Sequence, residues 1–371
     1  MNGKPITSPI STRGRAKARN LPGWNPSLKI DGRRVPANIM MPSAAEVKEI
    51  LLFDTINEDQ NIAHLMEHCL AAHIHINNPK AHSSGGFHAG TNPKGMYLIF
   101  EKEDFVKFDT FPDLAPFIDH QKKRLYLESI ESILVGSKIV EIYVRQNCLT
   151  YKEVLDRFDK FLKLDTAAII KSFKKIYATK IKISSISQTL NFKPITTSQK
   201  QVHSIKVPKF QPLLDIFEIS IMLPMTLESL AYCEAIKLLA SMNFSPILAQ
   251  KTLLHTNSGG ASMSVNSLFI TYSYKTLKGD GENTKNVFWD LIKNARHLDI
   301  YVSIWKERES EKARKTWEEN ILRREHIFSL LRFGHILTEK EIKEVDSQKI
   351  VKLHHEVISN PNRFVIELTD F

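Results

Sequence analysis

The chain has 371 residues, 42% hydrophobic and 25% charged, with a formal net charge of +10. That is globular composition, long enough for two domains of roughly 180 residues each, with no signal-peptide core and no apolar run near the roughly 20 residues a membrane span needs. Cys69, Cys148 and Cys233 lie far apart without a CxxC pair, which excludes a zinc-finger or disulfide framework and fits a reducing, cytoplasmic setting.

The first thirty residues carry Lys4, Arg13, Arg15, Lys17 and Arg19 and no acid. Pro5, Pro9 and Gly14 interrupt them and no apolar face forms. Residues 1–29 therefore read as a solvated basic arm rather than a mitochondrial presequence, which favours the cytoplasm over the mitochondrial matrix. "RVPANIMMP" (34–42) and "VKEILLFDT" (47–55) alternate and predict strands. "NIAHLMEHCLAAHIHI" (61–76) is rich in helix formers, with Asp59 or Asn61 available as its cap. "HSSGGFHAGTNPKG" (82–95) is loop-like, and "MYLIFEKE" (96–103) is a strand. A helix follows over "FIDHQKKRLYLESIESIL" (117–134), ended by Gly136. Residues 150–178 give two more helices, and 180–187 an alternating strand.

The polar stretch 191–210 has two prolines and no periodicity, and reads as a linker. The pattern then restarts: a strand over 213–224, a helix over 227–242, strands within 261–277, helices over 283–295, 300–332 and 339–358, and a last strand over 363–368. Both halves run strand, helix, strands, several helices, strand. This predicts two α+β domains of similar topology, 30–190 and 211–371. The basic charge does not select nucleic acid as the partner. Lysines are spread along the chain among acids, as in "KERESEKARKTWEEN" (306–320), the pattern of a solvated helix laced with ion pairs, and no nucleic-acid motif accompanies them. A basic surface suits an acidic peptide or acidic partner protein instead.

The chemistry gathers in the first helix. His64 and His68 stand i and i+4, so their imidazoles leave one face a turn apart, a spacing that lets two neutral histidines grip one zinc ion. Glu67 can lean over the same ion without ligating it and take a proton from a water whose pKa the metal lowers. His64-Leu65-Met66-Glu67-His68 is the inverted form of the zinc-peptidase signature. On its own the match is weak against a solvated helix face with two histidines, and the case depends on a third ligand and on context. His73, His75 and His82 read as polar surface residues.

"NIAHLMEHCL" together with "GGFHAGTNPKGMYLIFE" (85–101) and "SNPNRFVIEL" (359–368) resembles the pitrilysin/insulinase family of zinc peptidases, which includes the mitochondrial processing peptidase. The resemblance extends over roughly 30–371 and is close only in the motif helix. It implies two similar α+β domains, each a mainly antiparallel sheet covered by helices on one face. It also implies Zn2+ held by His64, His68 and Glu128, with Glu131 as the other candidate for the third ligand, and Glu67 as the general base. The family's edge strand for extended substrate falls on His88, Ala89, Gly90 and Thr91, with His88 where the family has Asn. Gln121 stands in place of the family's first acid, seven residues before Glu128, which puts support of the metal in question. The spacing from His68 to Glu128 is shorter than in the family, and the trimmed residues fall within 77–95.

Family members complete the site with an Arg and a Tyr from a second homologous unit, which stabilise the oxyanion. The matching stretch, "SPILAQKTLLHTNSGGAS" (245–262), has neither: Lys251 is the nearest cation, and Ser258 or Gly259 takes the Tyr position. The resemblance therefore implies a heterodimer. A related second subunit would supply Arg and Tyr, and the two chains would enclose a chamber for short unfolded peptides. The substrate is either a ribosomally made peptide under maturation or oligopeptides in general. The alternative is a non-catalytic, peptide-binding subunit of a peptidase-like complex.

Overall fold

The computed structural model describes residues 28–30, 33–35, 47, 49–77, 87–100, 110–134, 148, 150–191, 204–207, 214–240, 245–252, 254–264, 266–295 and 297–370. The basic arm up to residue 27, His82 and Gly136 lie outside them. Met1–Ala44 and Ala45–Phe371 are two separate compact units. In the first, strands β1 (Leu28–Ile30) and β2 (Arg33–Val35) pair antiparallel.

The second unit holds two sheets. The first takes β3 (Glu49–Asp54), β4 (Phe87–Asn92), β5 (Gly95–Phe100) and β6 (Ile181–Ile183) in the order β4-β5-β3-β6, all antiparallel. Between β3 and β4 runs α1 (Gln60–Asn77). Asp59 rather than Asn61 caps it, its carboxylate accepting from the backbone N–H of Asn61 at 2.8 Å and of Ile62 at 3.3 Å. After β5 come a 3-10 turn over Ala115–Phe117 and α2 (Ile118–Leu134), then α3 (Tyr151–Lys163) with a Thr150–Glu153 capping box and α4 (Thr166–Tyr177) capped by Asp165.

The second sheet is larger. Strands β7 (Ser204–Val207), β8 (Leu214–Pro224), β9 (Leu254–Met263), β10 (Ser267–Leu277) and β11 (Val365–Asp370) lie in the order β7-β11-β8-β10-β9. Every pairing is antiparallel except β7 with β11. Its helices are α5 (Leu227–Leu239), α6 (Ser245–Lys251), α7 (Gly281–Lys293), α8 (Leu298–Glu319), α9 (His326–Phe333), α10 (Glu339–Lys343), α11 (Ser347–Ser359) and α12 (Pro361–Phe364). The fold is thus α+β with two mainly antiparallel sheets carrying helices.

Three local expectations are corrected. Ser204–Val207, inside the stretch read as a linker, forms β7 and pairs with β11, a partner too distant for local periodicity to reveal. β9 begins at Leu254 because its register with β10 is set along the whole strand, overriding the turn-like "NSGG". The helical stretch 300–332 breaks at Asn320, which takes φ 53° at the end of α8, a left-handed conformation that Asn tolerates. The ion-paired face read for α8 is present, with Arg314–Glu318 and Lys315–Glu311 each at 2.8 Å.

The core forms two clusters. One joins Leu51, Phe53, Met96 and Leu98 from one face of the first sheet to Leu65, Met66, Cys69 and Leu70 of α1. The other joins alternate residues of β8 and β10 to α5, α8 and α9 and takes in Ile50, Leu52 and Ile99 from the opposite face of the first sheet. The two sheets therefore share a core through that face. A backbone tie reinforces it: Leu190 N–H donates to the Gly334 carbonyl at 2.6 Å. Gly334 ends α9 with φ 79°, and a Cβ there would stand 2.6 Å from the Leu190 carbonyl oxygen, so only glycine fits.

His326 orders the start of α9. Its Nδ1 accepts from Arg323 N–H at 3.0 Å, which requires the neutral ring. Burial, aided by Arg323 and opposed by Glu325, pushes its pKa down to about 4. An unfolded His titrates near 6.5. The stability this site contributes is therefore complete above about pH 6.5 and is lost as pH falls from there toward 4. Urea unfolding should show the chain roughly 2 kcal/mol less stable at pH 5 than at pH 7 on account of this site. His326→Gln should remove much of that difference; an unchanged pH dependence in the variant would refute the assignment.

Candidate metal centre

α1 buries Ala63, Leu65, Met66, Cys69, Leu70 and Ile74, a stripe at helical spacing that seats it on the sheet. That rotation leaves His64, Glu67 and His68 half-buried on the flank. Their ligand-capable atoms all lie within 4.8 Å of one another. The two imidazoles are 4.7 Å apart between centroids and nearly perpendicular, and His64 Nε2 stands 3.9 Å from Glu67 Oε2.

α2 brings the fourth group. Ile118 and Leu125 are fully buried, and the Lys122 ammonium donates to the Leu164 carbonyl at 2.8 Å at the end of α3, fixing the helix against its neighbours. Gln121 and Glu128, two turns apart, then share a face. Glu128 Oε2 stands 3.5 Å from His68 Nε2. The Gln121 side chain is buried on the same face. Glu131 is exposed. Burial lowers the pKa of His68 and Arg124 adds to this, against the opposing pull of Glu128 and the Gln121 side chain, so the net drift favours the neutral imidazole. Neutral imidazole is the metal-binding form.

Imidazole and carboxylate donors suit zinc; the ligand-capable atoms within 4.8 Å of one another are those of His64, Glu67 and His68, and Glu128 joins them through its approach to His68. A tetrahedral ion with bonds of about 2.0–2.1 Å sets its ligand atoms about 3.4 Å apart. The 3.5 Å between His68 and Glu128 matches that edge. Cys69, next in sequence, does not join them: it is buried in the core, which pushes its thiol up to about 12.

The edge strand β4 runs beside this group, and its four expected substrate residues divide by face. Ala89 and Thr91 face α1, Ala89 packing against that cluster. The Thr91 hydroxyl donates to Glu67 Oε2 at 2.6 Å. His88 and Gly90 alternate to the other face. There the Tyr97 phenol crosses β4 so closely that a Cβ on Gly90 would stand 2.4 Å from its oxygen. Burial raises the Tyr97 pKa, and the nearby Glu67 carboxylate adds to the rise while Arg324 opposes it.

The β4–β5 turn is pinned on both sides. Thr55 hydroxyl donates to the Asn92 carbonyl at 3.3 Å, and the Gln60 amide to the Pro93 carbonyl at 3.4 Å. The Lys94 ammonium donates to the Arg332 carbonyl of α9 at 3.2 Å.

Sequence reading missed the Thr91–Glu67 bond, the Lys94 anchor and the placing of Tyr97. The alternation of β4 held the signal for the first, since it puts Thr91 on the α1 side once Ala89 is known to face inward. Gln121 is buried on the face of α2 that carries Glu128. In the stretch 245–262, Lys251 is exposed at the end of α6, and Ser258 and Gly259 lie in β9 opposite Ser273 and Tyr272. Among the described residues no helix is long and apolar enough to cross a membrane.

No family model and no curated protein matches the sequence. Solved structures do match the fold. The periplasmic protease PqqL from Escherichia coli aligns with a TM-score of 0.52 at 10% identity, over 88% of this chain and 46% of PqqL. The structure of the first half of PqqL is covered over 86% of its length with the same score. A protease from Helicobacter pylori aligns with a TM-score of 0.51 at 11% identity, over 88% of this chain and 95% of that one. This chain thus spans about half the length of PqqL. Identities this low report the fold alone, and the fold is peptidase-like, shared with these proteases.

Proposed function

We propose that the chain is the metal-bearing subunit of a zinc-dependent endopeptidase of the pitrilysin/insulinase kind, acting on short unfolded peptides. The observation that carries this reading is the approach of Glu128 to His68 at 3.5 Å, from a helix far along the chain, beside the His64–Glu67–His68 group. His64, His68 and Glu128 would hold the ion. Zinc when bound supplies Lewis acidity, lowering the pKa of water at the site and polarising a carbonyl.

The rest is the chain's own chemistry. Neutral His68, favoured by its burial, offers a lone pair. Glu67 takes the proton of the attacking water and returns it to the nitrogen of the leaving amine. The outer edge of β4, over His88, Ala89, Gly90 and Thr91, receives the peptide as an added strand. Backbone pairing of that kind accepts extended chain and excludes folded protein. The stretch 245–262 has no Arg and no Tyr, so a related second subunit supplies the oxyanion donors and closes the chamber. Maturation of a ribosomally made peptide is a job suited to such a heterodimer.

Elemental analysis should find about one zinc per chain, removed by EDTA and regained on adding zinc. Glu128→Ala should abolish retention and Glu131→Ala should not. A chain that takes up no zinc is instead the structural, peptide-binding member of its complex. Glu67→Gln should keep the zinc and lower kcat by about 10²- to 10⁴-fold on a quenched fluorogenic peptide. Cleavage at the wild-type rate by that variant would remove Glu67 as the base.

A further inference from the structure

Strand β4 has two functions that meet at one residue. Its outer edge pairs with no other described strand, and its inward side chains reach the helix that carries Glu67. Thr91 stands at the junction. Its backbone belongs to the edge that would take the peptide, and its hydroxyl donates to Glu67 Oε2 at 2.6 Å.

This contact is held from both ends. Gln60, the first residue of α1, donates to the Pro93 carbonyl at 3.4 Å and to the Thr55 carbonyl at 3.3 Å, and the Thr55 hydroxyl donates to the Asn92 carbonyl at 3.3 Å. Residues 92 and 93 are thereby tied to the start of the helix that bears the base. On the β5 side, Thr91 is in register with the fully buried Met96. Thr91 cannot slide along α1 without breaking these bonds or lifting Met96 from the core. The Glu67 side chain, by contrast, has three rotatable bonds, so its carboxylate can take several orientations. A short bond to a charged acceptor is strong enough to select one of its rotamers.

We propose that Thr91 is a positioning residue for Glu67: its hydroxyl orients the carboxylate against the strand edge that seats the peptide. Base and substrate backbone are then referred to the same strand, so a peptide paired on β4 arrives with the base already aimed. This rests on the metallopeptidase reading above. The consequence is a kinetic signature. Losing the hydroxyl leaves the edge backbone and the metal ligands in place, so peptide binding and zinc content should hold while turnover falls.

The test compares Thr91→Val, which keeps shape and loses the donor, with Thr91→Ser, which keeps the donor. In the zinc-loaded chain with its partner subunit, Thr91→Val should lower kcat about 10- to 100-fold, as for a group misplaced by about an ångström. KM should change less than about threefold, with zinc per chain unaltered. Thr91→Ser should recover most of the loss. A second readout needs neither metal nor activity. In the metal-free chain, Thr91→Val should lower Tm by about 2 °C, and by less than half of that in a Glu67→Ala background, where the bond has no acceptor. Wild-type kcat in Thr91→Val, a Thr91→Ser variant as slow as Thr91→Val, or equal Tm losses in the two backgrounds would each overturn the proposal. The two readings fail differently. If the wild type binds no zinc and cleaves nothing, the peptidase reading falls and this one with it. If the wild type cleaves and Thr91→Val cleaves equally well, only the role of Thr91 falls.

Discussion

Everything at the candidate centre depends on the rotation of α1 about its own axis. Leu65, Met66 and Leu70 are fully buried against the sheet, and each contributes about 1.5–3 kcal/mol relative to an exposed position. Turning the helix by one residue would lift that stripe toward water and drive Glu67 into an apolar core, where an unpaired carboxylate costs several kcal/mol more. The rotation that buries the leucines is therefore also the one that presents His64, Glu67 and His68 together. Apolar packing, rather than any attraction among the polar groups, does the presenting. His64 and Glu67 at 3.9 Å and His68 and Glu128 at 3.5 Å are arrangements left over when the core is satisfied.

The same logic extends to the second half of the chain, which contributes none of the proposed ligands. The β4–β5 hairpin joins its sheet through the pairing of β5 with β3, and its turn is then fixed by contacts from elsewhere. Its turn is anchored by the Lys94 ammonium on the carbonyl of Arg332. A Cβ on Gly95, at the same turn, would meet Leu331 and Leu52 at 3.0 Å, so the two halves touch without room for a side chain. Burial lowers the pKa of Lys94, a cost that the helix-terminal carbonyl offsets. The neutral His326 orders the first turn of α9, the helix on which that anchor sits. The edge that would receive a peptide is thus stiffened by the second half of the chain.

Much of this was legible in the residues. The stripe of α1, the His64–Glu67–His68 spacing and the seven-residue step from Gln121 to Glu128 are local facts, and helical periodicity converts them directly into shared faces. Capped helices such as α3 and α4 were legible for the same reason. What stayed hidden depends on partners far along the chain. β7 is a strand because β11 lies beside it, and neither segment announces the other. Only the end of β9, from residue 261, reads as strand in the sequence; the rest is a strand because β10 lies beside it. The division of His88, Ala89, Gly90 and Thr91 between two faces needs one anchor, Ala89 in the α1 cluster, that no local pattern supplies. The glycines of 82–95 read locally as a loop, and only the resemblance placed a strand on His88–Thr91; the Thr91–Glu67 contact stayed hidden.

An edge strand also bears on what kind of selectivity this chain can exert. Pairing through backbone amides and carbonyls is indifferent to side chains, so β4, if it takes a peptide as proposed, would by itself discriminate extended from folded chain and little else. Finer selection has to come from the two faces that flank the edge. On the α1 face the space beside the strand is occupied by the proposed ligands and by Thr91, which is committed to Glu67. On the other face Tyr97 lies across Gly90, filling the place where a side chain of β4 would have met the peptide. A residue of the peptide opposite Gly90 would share that face and meet the Tyr97 ring directly. Gly90 therefore does more than relieve a clash: it lets an aromatic ring from the neighbouring strand lie across β4, where the strand itself presents no side chain.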